Sequence, residues 1–453
     1  MAGEGGEARL RAKFVDGNLL GHITVMSLTS SVGLMAIFAV DLMNMLFISW
    51  LKDEEVTAAV GYAGAILFFT TAFGIGISIA VSALVARAVG MRDLALARQK
   101  ATNGLILGTL IGVVFSALVW VCLPQIVALL GATGRTADWT VHFLAIVTPA
   151  QPFLMVGMIG GAILRSHGDA RRAMMATVVG ALVNAAIDPV LIFTLDLGLT
   201  GAAIASVVSR VVIAAMALLP ILRHYGGFDR PSLSGLQADM GAVFGIAGPA
   251  VLTQLATPTG QAIVTRMVAG YGEAAVAGMA ISGRLTPVAL GVIFAMSGAV
   301  GPIIGQNYGA GRMDRVRRAF LDALLFTGIV VVISAAVLFI LRAPIADLFH
   351  AQGLTRDLLY LFCGPLCLLF FFNGAIFVAN AACNNLGAPL TSTLINWGRH
   401  TLGTVPFALW LGGYWGAEGV LIGQSAGGVV FGLLGIWVAL RTIGNAAQGR
   451  VLI

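Results

Sequence analysis

Charged residues are scarce in this chain. Only 10% of its 453 residues are Asp, Glu, Lys or Arg, whereas 58% are hydrophobic. A soluble domain usually carries about 25% charged residues, and a soluble fold has no interior large enough to bury this much apolar surface. Lipid is the solvent that accepts such a surface. The composition therefore excludes an ordinary soluble protein and indicates an integral membrane protein.

Cysteine is also rare, and no motif of metal or nucleotide chemistry occurs. The four cysteines, Cys122, Cys363, Cys367 and Cys383, lie in apolar segments without a His or carboxylate cluster, so we expect helix packing rather than disulfides or a metal centre. The HExxH and GxxxxGK[ST] motifs are missing. We therefore predict no enzyme activity, no ATP hydrolysis and no cofactor. The net charge of +6 is dispersed over short loops, which argues against a nucleic-acid partner.

Long apolar runs dominate what is present. Each run can cross a hydrocarbon core, which needs about 20 residues. They predict an all-α integral membrane protein with twelve transmembrane helices, over residues 18–50, 56–86, 101–130, 141–164, 172–195, 199–222, 240–270, 274–306, 318–341, 357–384, 388–412 and 417–440.

Basic residues orient the predicted helices. Eighteen Arg and Lys residues fall in or beside one set of alternate connections, and four, Lys52, Arg135, Arg342 and Arg356, fall in the other set. Cytoplasmic loops carry the excess of Lys and Arg. We therefore expect both termini in the cytoplasm. The strong preference for Arg over Lys suggests a bacterial genome, so the predicted location is the inner membrane of a bacterium.

A weak internal repeat divides the chain into two halves. Gly90 and Gly309 lie in similar stretches 219 positions apart, and so do Gly168 and Gly387. Six helices per half with the same orientation make a parallel repeat, as in transporters that rock two halves around a central site. We predict a cytoplasmic tail at 1–17, an N-lobe at 18–222, a linker at 223–239, a C-lobe at 240–441 and a second cytoplasmic tail at 442–453.

Two carboxylates lie deep inside apolar segments. Asp41 is in segment one and Asp188 is in segment five, both in the outer half of the membrane by residue count. A carboxylate there costs about 2.5–3.5 kcal/mol and indicates function by default. Asn184 is one turn before Asp188, and Pro189 loosens the helix beside it. Ser206 reaches a similar depth in segment six.

These oxygen atoms predict a cation site. Two carboxylates in a low dielectric do not both ionise easily, so they can share a proton as a coupled pair. With Asn184 and Ser206 they can instead present oxygens to Na⁺, in which case Asp41, Asn184 and Asp188 are the metal ligands. The alternative is structural, with each Asp capping a kinked helix or pairing with an arginine. Arginines of the apolar segments are expected to pair with a carboxylate, act at a gate or snorkel to an interface: Arg210, Arg266, Arg284 and Arg399.

Several stretches resemble one transporter family. FAVDLMNMLFISWLKDEEVTAAVGYAGAI is similar to the passage from the first to the second helix of multidrug and toxic compound extrusion (MATE) transporters. ILRSHGDARRAM, LVNAAIDPVLIF and LGLTGAAIASVVSR resemble the region of helices four to six, and GQNYGAGRMDRVRRA resembles the loop after helix eight. The likeness covers residues 20–440.

The resemblance implies a fold, a function and a site. It implies two pseudo-symmetric six-helix lobes around a central cavity, and export of amphipathic, mostly cationic drugs or other organic cations in exchange for H⁺ or Na⁺ by alternating access. The family's N-lobe cation site carries over onto Asp41, Asn184, Asp188 and, less directly, Ser206. This pattern is similar to the DNA-damage-inducible F and archaeal branch, because GPAVLTQLATPTGQAIV and LFFFNGAIFVANAA lack the carboxylates of the other bacterial branch. Met26 replaces the proline usual in helix one.

Other expectations are less closely tied to a motif. We name Met35, Gln151, Gln254 and Asn373 as candidate substrate contacts, Met35 because methionine suits promiscuous apolar pockets. Beyond the bilayer and small organic molecules we expect no partner, and we expect a monomer. A flippase for lipid-linked precursors is the competing possibility, but it would concentrate basic residues in its cavity. A major-facilitator transporter is disfavoured because the loop between segments two and three lacks that family's Gly-Asp-Arg-rich pattern.

Overall fold

The computed structural model describes residues 12–450, and in this range every regular element is a helix. The outermost predicted tail residues, 1–11 and 451–453, lie outside the described residues. Ten helices are long and apolar enough to cross a membrane, and they run over Leu19–Ser49, Glu54–Gly90, Leu94–Val121, Gly134–Ser166, Ala170–Thr194, Gly198–His224, Leu233–Ala269, Met313–Leu348, Gly353–Asn385 and Pro389–Ala447.

Two further features raise the number of spans from ten to twelve. The helices Glu273–Ala289 and Gly291–Gly309 are bent by 47° and together form one span. The 59-residue helix Pro389–Ala447 breaks at Trp415 and Gly416, whose backbone angles are not helical. It therefore provides two spans, 389–414 and 417–447. The described residues thus contain the twelve predicted transmembrane helices, which are called spans 1 to 12 in chain order below.

Acidic caps begin several spans. Asp53 accepts hydrogen bonds from the backbone N–H groups of Glu55 and Val56 at the start of span 2. Asp93 caps span 3 in the same way, and Asp169 caps span 5 by accepting from the N–H of Arg172. These side chains satisfy donors that the first turn of a helix leaves without partners. The cap positions explain why spans 2, 3 and 5 begin a few residues before their apolar runs.

The largest difference from the predicted boundaries is at the third segment. The sequence predicts one helix over 101–130, whereas span 3 ends at Val121 and a separate short helix runs from Leu123 to Leu129. Pro124 lies in the first turn of the short helix, where a proline costs no hydrogen bond. Span 1, in contrast, runs without a break through Met26, which is 2% exposed.

Three spans contain a π-helical turn. Val190–Thr194 ends span 5 directly after Pro189, Phe362–Leu366 lies in span 10 and Arg399–Gly403 lies in span 11. In the first of these, the N–H of Leu195 donates to the carbonyl of Val190 at 2.9 Å. The loosening expected at Pro189 therefore takes the form of a wider turn, which is often found at functional sites.

The contacts divide the chain into two compact units. Unit 1 comprises residues 12–13 and Val32–Val251, and unit 2 comprises Phe14–Ser31 and residues 252–450. Spans 1 and 7 therefore each contribute residues to both units, although the predicted lobes assign each of them to one lobe.

Each unit has its own hydrophobic core. In unit 1, Ile48, Val56 and Leu144 pack with Ile192 and Leu199, so the ends of spans 1 and 5 lie in one cluster. In unit 2, a comparable cluster contains Leu290, Ile293, Val331, Leu359, Cys363 and Cys367. The two cysteines thus pack as small apolar side chains.

Candidate functional site

A polar contact joins span 1 to span 5 inside unit 1. Asn44 donates from its amide nitrogen to the amide oxygen of Asn184 at 2.9 Å. With its amide turned over, Asn44 instead donates to the Asp188 carboxylate and to the carbonyl of Val40. Oxygen and nitrogen of an amide occupy nearly the same positions, so the hydrogen-bond network decides between the two orientations, and here it favours the turned-over amide. In both orientations Asn44 lies within hydrogen-bonding reach of the predicted site.

The carboxylate of Asp188 is completely buried. Its side chain is 0% exposed and that of Asn184 is 4% exposed. Within the described part of the chain, Asp188 Oδ1 and Asn184 Nδ2 have no hydrogen-bond partner. Because buried polar atoms almost always have a partner, the Asp188 oxygen indicates a place where a further group binds. The structure therefore brings Asn184 and Asp188 together, as predicted from their spacing.

Asp41 lies on the same helix as Asn44, three residues earlier. Residues three apart share a face of a helix, so Asp41 points to the same side of span 1 as the Asn44 amide. Its side chain is exposed, and it makes no hydrogen bond or ion pair to any residue between 12 and 450. Asp41 therefore has carboxylate oxygens available for a cation, whereas Asp188 supplies buried ones.

Ser206 is placed by the register of spans 5 and 6. Ser209 donates to the carbonyl of Gly180 at 2.8 Å, and a Cβ on Gly201 would lie 2.7 Å from the Leu191 backbone. The two helices are antiparallel, so these contacts put Ser206 at the level of Asn184. Ser206 is half-buried, and no hydrogen bond joins it to Asp188 in the described residues.

The oxygen atoms of this site are suited to a hard cation. Its carboxylate and amide oxygens are the ligand type that hard metal ions take in proteins, and the carboxylates also accept protons. The arginines of unit 1 do not neutralise them. Arg210 donates to the carbonyl of Val147 at 2.8 Å rather than to a carboxylate. The arrangement therefore offers oxygen atoms suited to a proton or a hard cation.

Sequence reasoning missed Asn44. The signal was available, because an amide one turn after a carboxylate in an apolar helix is as unusual as the carboxylate itself. Asn44 follows Asp41 by the same i, i+3 spacing that makes side chains meet on a helix surface.

The four candidate substrate contacts have different surroundings. Gln151 is buried and donates its amide to the hydroxyl of Thr70, so this side chain already has a partner in unit 1. Met35 is 37% exposed, and Gln254 is half-buried. Asn373 has a buried amide oxygen without a hydrogen-bond partner in the described residues. Their role in substrate binding stays a prediction.

One motif associated with hydrolases occurs in unit 2 without its geometry. Gly423–Gly427 reads GQSAG, which has the GxSxG spacing. A nucleophile elbow needs a sharp turn between a strand and a helix, whereas Ser425 lies inside the helix 417–447 and donates to the carbonyl of Leu421 at 3.0 Å. The serine is therefore not presented as a nucleophile.

A second polar cluster holds the loop before span 5. Tyr225 donates its hydroxyl to Asp169 at 2.8 Å, and Arg172 donates to the same carboxylate at 2.5 Å. Burial raises the pKa of Asp169, but the hydrogen bonds from Arg172 and Tyr225 outweigh it and leave the pKa below its usual value. His167 stacks on Tyr225 with 4.7 Å between ring centroids, and burial lowers its pKa. This cluster is structural and lies outside the membrane-spanning segments.

Comparison with known proteins identifies the family. The MatE family model matches the chain twice, over residues 29–190 and 249–410. The chain is 29% identical over 433 residues to a FAD transporter of Shewanella oneidensis, covering 92% of this chain and 93% of the relative. It is 25% identical over 333 residues to the multidrug export protein MepA of Staphylococcus aureus, covering 71% and 72% of the two chains.

Solved structures share the fold. An outward-facing multidrug resistance MATE family transporter superposes with a TM-score of 0.89 at 23% identity, covering 96% of this chain and 98% of that chain. A MOP superfamily transporter from Pyrococcus furiosus, described by the reverse polarity of its binding pocket, gives a TM-score of 0.87 at 22% identity, with 96% and 98% covered. With the family model matching both halves, this chain belongs to the MatE family of multidrug and toxic compound extrusion transporters.

Proposed function

We propose that this protein is a secondary-active antiporter that exports amphipathic organic cations in exchange for H⁺ or Na⁺. The observation that carries the proposal is the fully buried Asp188 carboxylate, whose Oδ1 has no partner within residues 12–450 and which lies within reach of Asn44 and Asn184. A permanent structural role would give such a group a partner. A carboxylate that binds the coupling ion and the organic cation in turn must be without a partner during part of the transport cycle.

Alternating access links the site to export. When the site faces outside, Asp41 and Asp188 take up a proton or Na⁺. An organic cation held nearby then loses its electrostatic partner and leaves. When the site faces inside, the carboxylates release the ion and attract a new organic cation. Inward movement of one charge supplies about 2.3 kcal/mol per 100 mV of membrane potential.

Location and assembly follow from the same proposal. The excess of basic residues on one side supports an orientation with both termini in the cytoplasm, and we propose the inner membrane of a bacterium as the location. We take residues 18–222 and 240–441 as the two lobes that move, with 223–239 as their linker. One chain contains both lobes, so a monomer suffices for transport.

Flux in proteoliposomes tests this function. Tetraphenylphosphonium is loaded into proteoliposomes that contain wild type, Asp188→Asn or Asp138→Asn. A pH gradient and a Na⁺ gradient are then imposed separately across the membrane. Asp138 is exposed on span 4 and is the matched control. One gradient should drive exchange in wild type and in Asp138→Asn, and none in Asp188→Asn. If neither gradient moves the probe in a folded wild type, the proposal fails.

A second candidate cargo is a phosphorylated cofactor such as FAD. The Shewanella relative is a FAD transporter, and unit 2 of this chain has an arginine and a histidine together in span 11. Flux of FAD in the same liposomes, with riboflavin as the counterpart without phosphates, separates this cargo from the organic cations.

A further inference from the structure

Span 11 contains a π-helical turn near the middle of the membrane. The turn Arg399–Gly403 begins ten residues after Pro389, about 15 Å along the helix at 1.5 Å per residue. Thr404 fixes its end by donating its hydroxyl to the carbonyl of Arg399 at 2.9 Å. Such turns are rare and are frequently found at functional sites. The first two side chains of this turn are Arg399 and His400.

Arg399 has no acidic partner in the described part of the chain. Its side chain is half-buried, and none of the ion pairs found between residues 12 and 450 includes it. A charge at this depth is costly and usually faces a binding site or a counter-charge. Snorkelling to an interface does not explain it, because Arg399 is about 15 Å from the start of the span. Its guanidinium is therefore available to an anion.

His400 is buried without a hydrogen bond. It is 2% exposed, and neither ring nitrogen has a partner among the described residues. A neutral imidazole carries one donor and one acceptor, and leaving both buried without partners is unfavourable. Gly260 of span 7 makes room for the ring, because a Cβ there would overlap His400 Nδ1. The ring is thus held at the turn although its polar atoms bind nothing within residues 12–450.

Span 12 contacts the end of this turn and, at the following residue, a polar group of span 10. Gly427 of span 12 packs against the carbonyl of Gly403, and a Cβ on Gly428 would lie 3.5 Å from the Asn373 amide oxygen. That oxygen is buried and has no partner in the described part of span 10 or its neighbours. Span 12 therefore presents bare backbone between the turn and Asn373.

We propose that Arg399 and His400 bind a phosphate group. The guanidinium offers two parallel N–H donors in the geometry that phosphate oxygens prefer, and the imidazole adds one donor. The ligand is the phosphate of a free organic phosphate that the protein carries, or that of a lipid headgroup. The biological purpose of this site rests on the proposed transport function. Phosphate binding itself does not, because it needs no ion gradient.

Binding to the purified full-length chain tests the site. Calorimetry measures ADP as the soluble phosphate probe and adenosine as the counterpart without phosphate. Wild type should bind ADP and not adenosine. Arg399→Gln should weaken ADP binding by about tenfold or more, as expected when a charge-assisted pair is lost. Arg318→Gln is the control, because it removes the same charge from a side chain that is 78% exposed, and it should bind like wild type.

Two further arms keep the result interpretable. Arg399→Lys retains the positive charge but not the two parallel N–H donors, and it should recover part of the affinity. If Arg399→Gln does not fold, His400→Gln takes its place and should weaken ADP binding. Phosphatidic acid replaces ADP in the second arm. Loss of its stabilising effect on the melting temperature in Arg399→Gln, with no ADP binding to wild type, assigns the site to a lipid headgroup.

The outcomes separate this proposal from the proposed function. If wild type binds neither phosphate, or if Arg399→Gln and Arg318→Gln weaken binding equally, the site is overturned even where tetraphenylphosphonium exchange is normal. If that exchange fails but Arg399-dependent binding is found, the site stands and the cation antiport does not.

Discussion

The Asn44 amide of span 1 lies between Asn184 and Asp188 of span 5, 2.9 Å from Asn184 Oδ1. In the amide orientation that satisfies its neighbours, Asn44 donates to the Asp188 carboxylate and to the carbonyl of Val40. Asn44 therefore joins span 1 to the two polar residues of span 5.

The first prediction concerns this amide. Asn44→Ala removes one hydrogen bond at the site, worth about 1 kcal/mol, so we expect the coupling ion to bind about fivefold more weakly. Transport should persist at saturating ion. The measurement is the ion-concentration dependence of tetraphenylphosphonium exchange. Ser49→Ala is the control, since Ser49 lies on the same helix and donates only to Leu46. An unchanged ion dependence in Asn44→Ala would show that Asn44 does not belong to the site.

The second prediction concerns Asp41. Asp41→Asn should abolish coupled transport because an amide neither takes up a proton nor neutralises a cation. It should change the free energy of unfolding by less than about 1 kcal/mol, because the side chain is exposed and forms no hydrogen bond with residues 12–450. Flux and thermal unfolding are measured on the same preparation. Full coupling in the mutant would exclude Asp41 from the mechanism.

Long apolar runs made the twelve spans predictable from the sequence, because a membrane requires about 20 such residues per helix. Asn184 and Asp188 were predictable for a related reason, since polar groups in apolar helices are costly. The π-helical turn at Arg399 was not, because a shift of one backbone hydrogen bond has no signature in composition. Gln151 shows a second limit. Its amide is donated to Thr70, 81 positions away, and a partner that distant cannot be read from local spacing.

The third prediction concerns the place where span 7 meets the span 11 turn. Gly260→Ala should destabilise the protein by about 1–3 kcal/mol, because the added Cβ overlaps the His400 ring. His400→Ala should relieve the strain, so the double mutant should be more stable than the sum of the single changes predicts. Gly245→Ala on the same helix is the control. No atom lies within 4 Å of its new Cβ, so it should be neutral or slightly stabilising.

The fourth prediction concerns pH and the loop that begins span 5. The hydrogen bonds from Arg172 and Tyr225 keep the pKa of Asp169 below its usual value, so the folded state favours the ionised carboxylate. Its stabilisation is complete above the unfolded pKa of about 3.9 and is lost as pH falls through the folded pKa. Asp169→Asn should lower the free energy of unfolding by about 1–2 kcal/mol at pH 7. The difference from wild type should shrink below about pH 4. Melting temperatures in detergent from pH 7 to about pH 3 measure this, with Asp138→Asn as the exposed control. A difference that stays constant over that range would mean that the ionisation of Asp169 does not stabilise the loop.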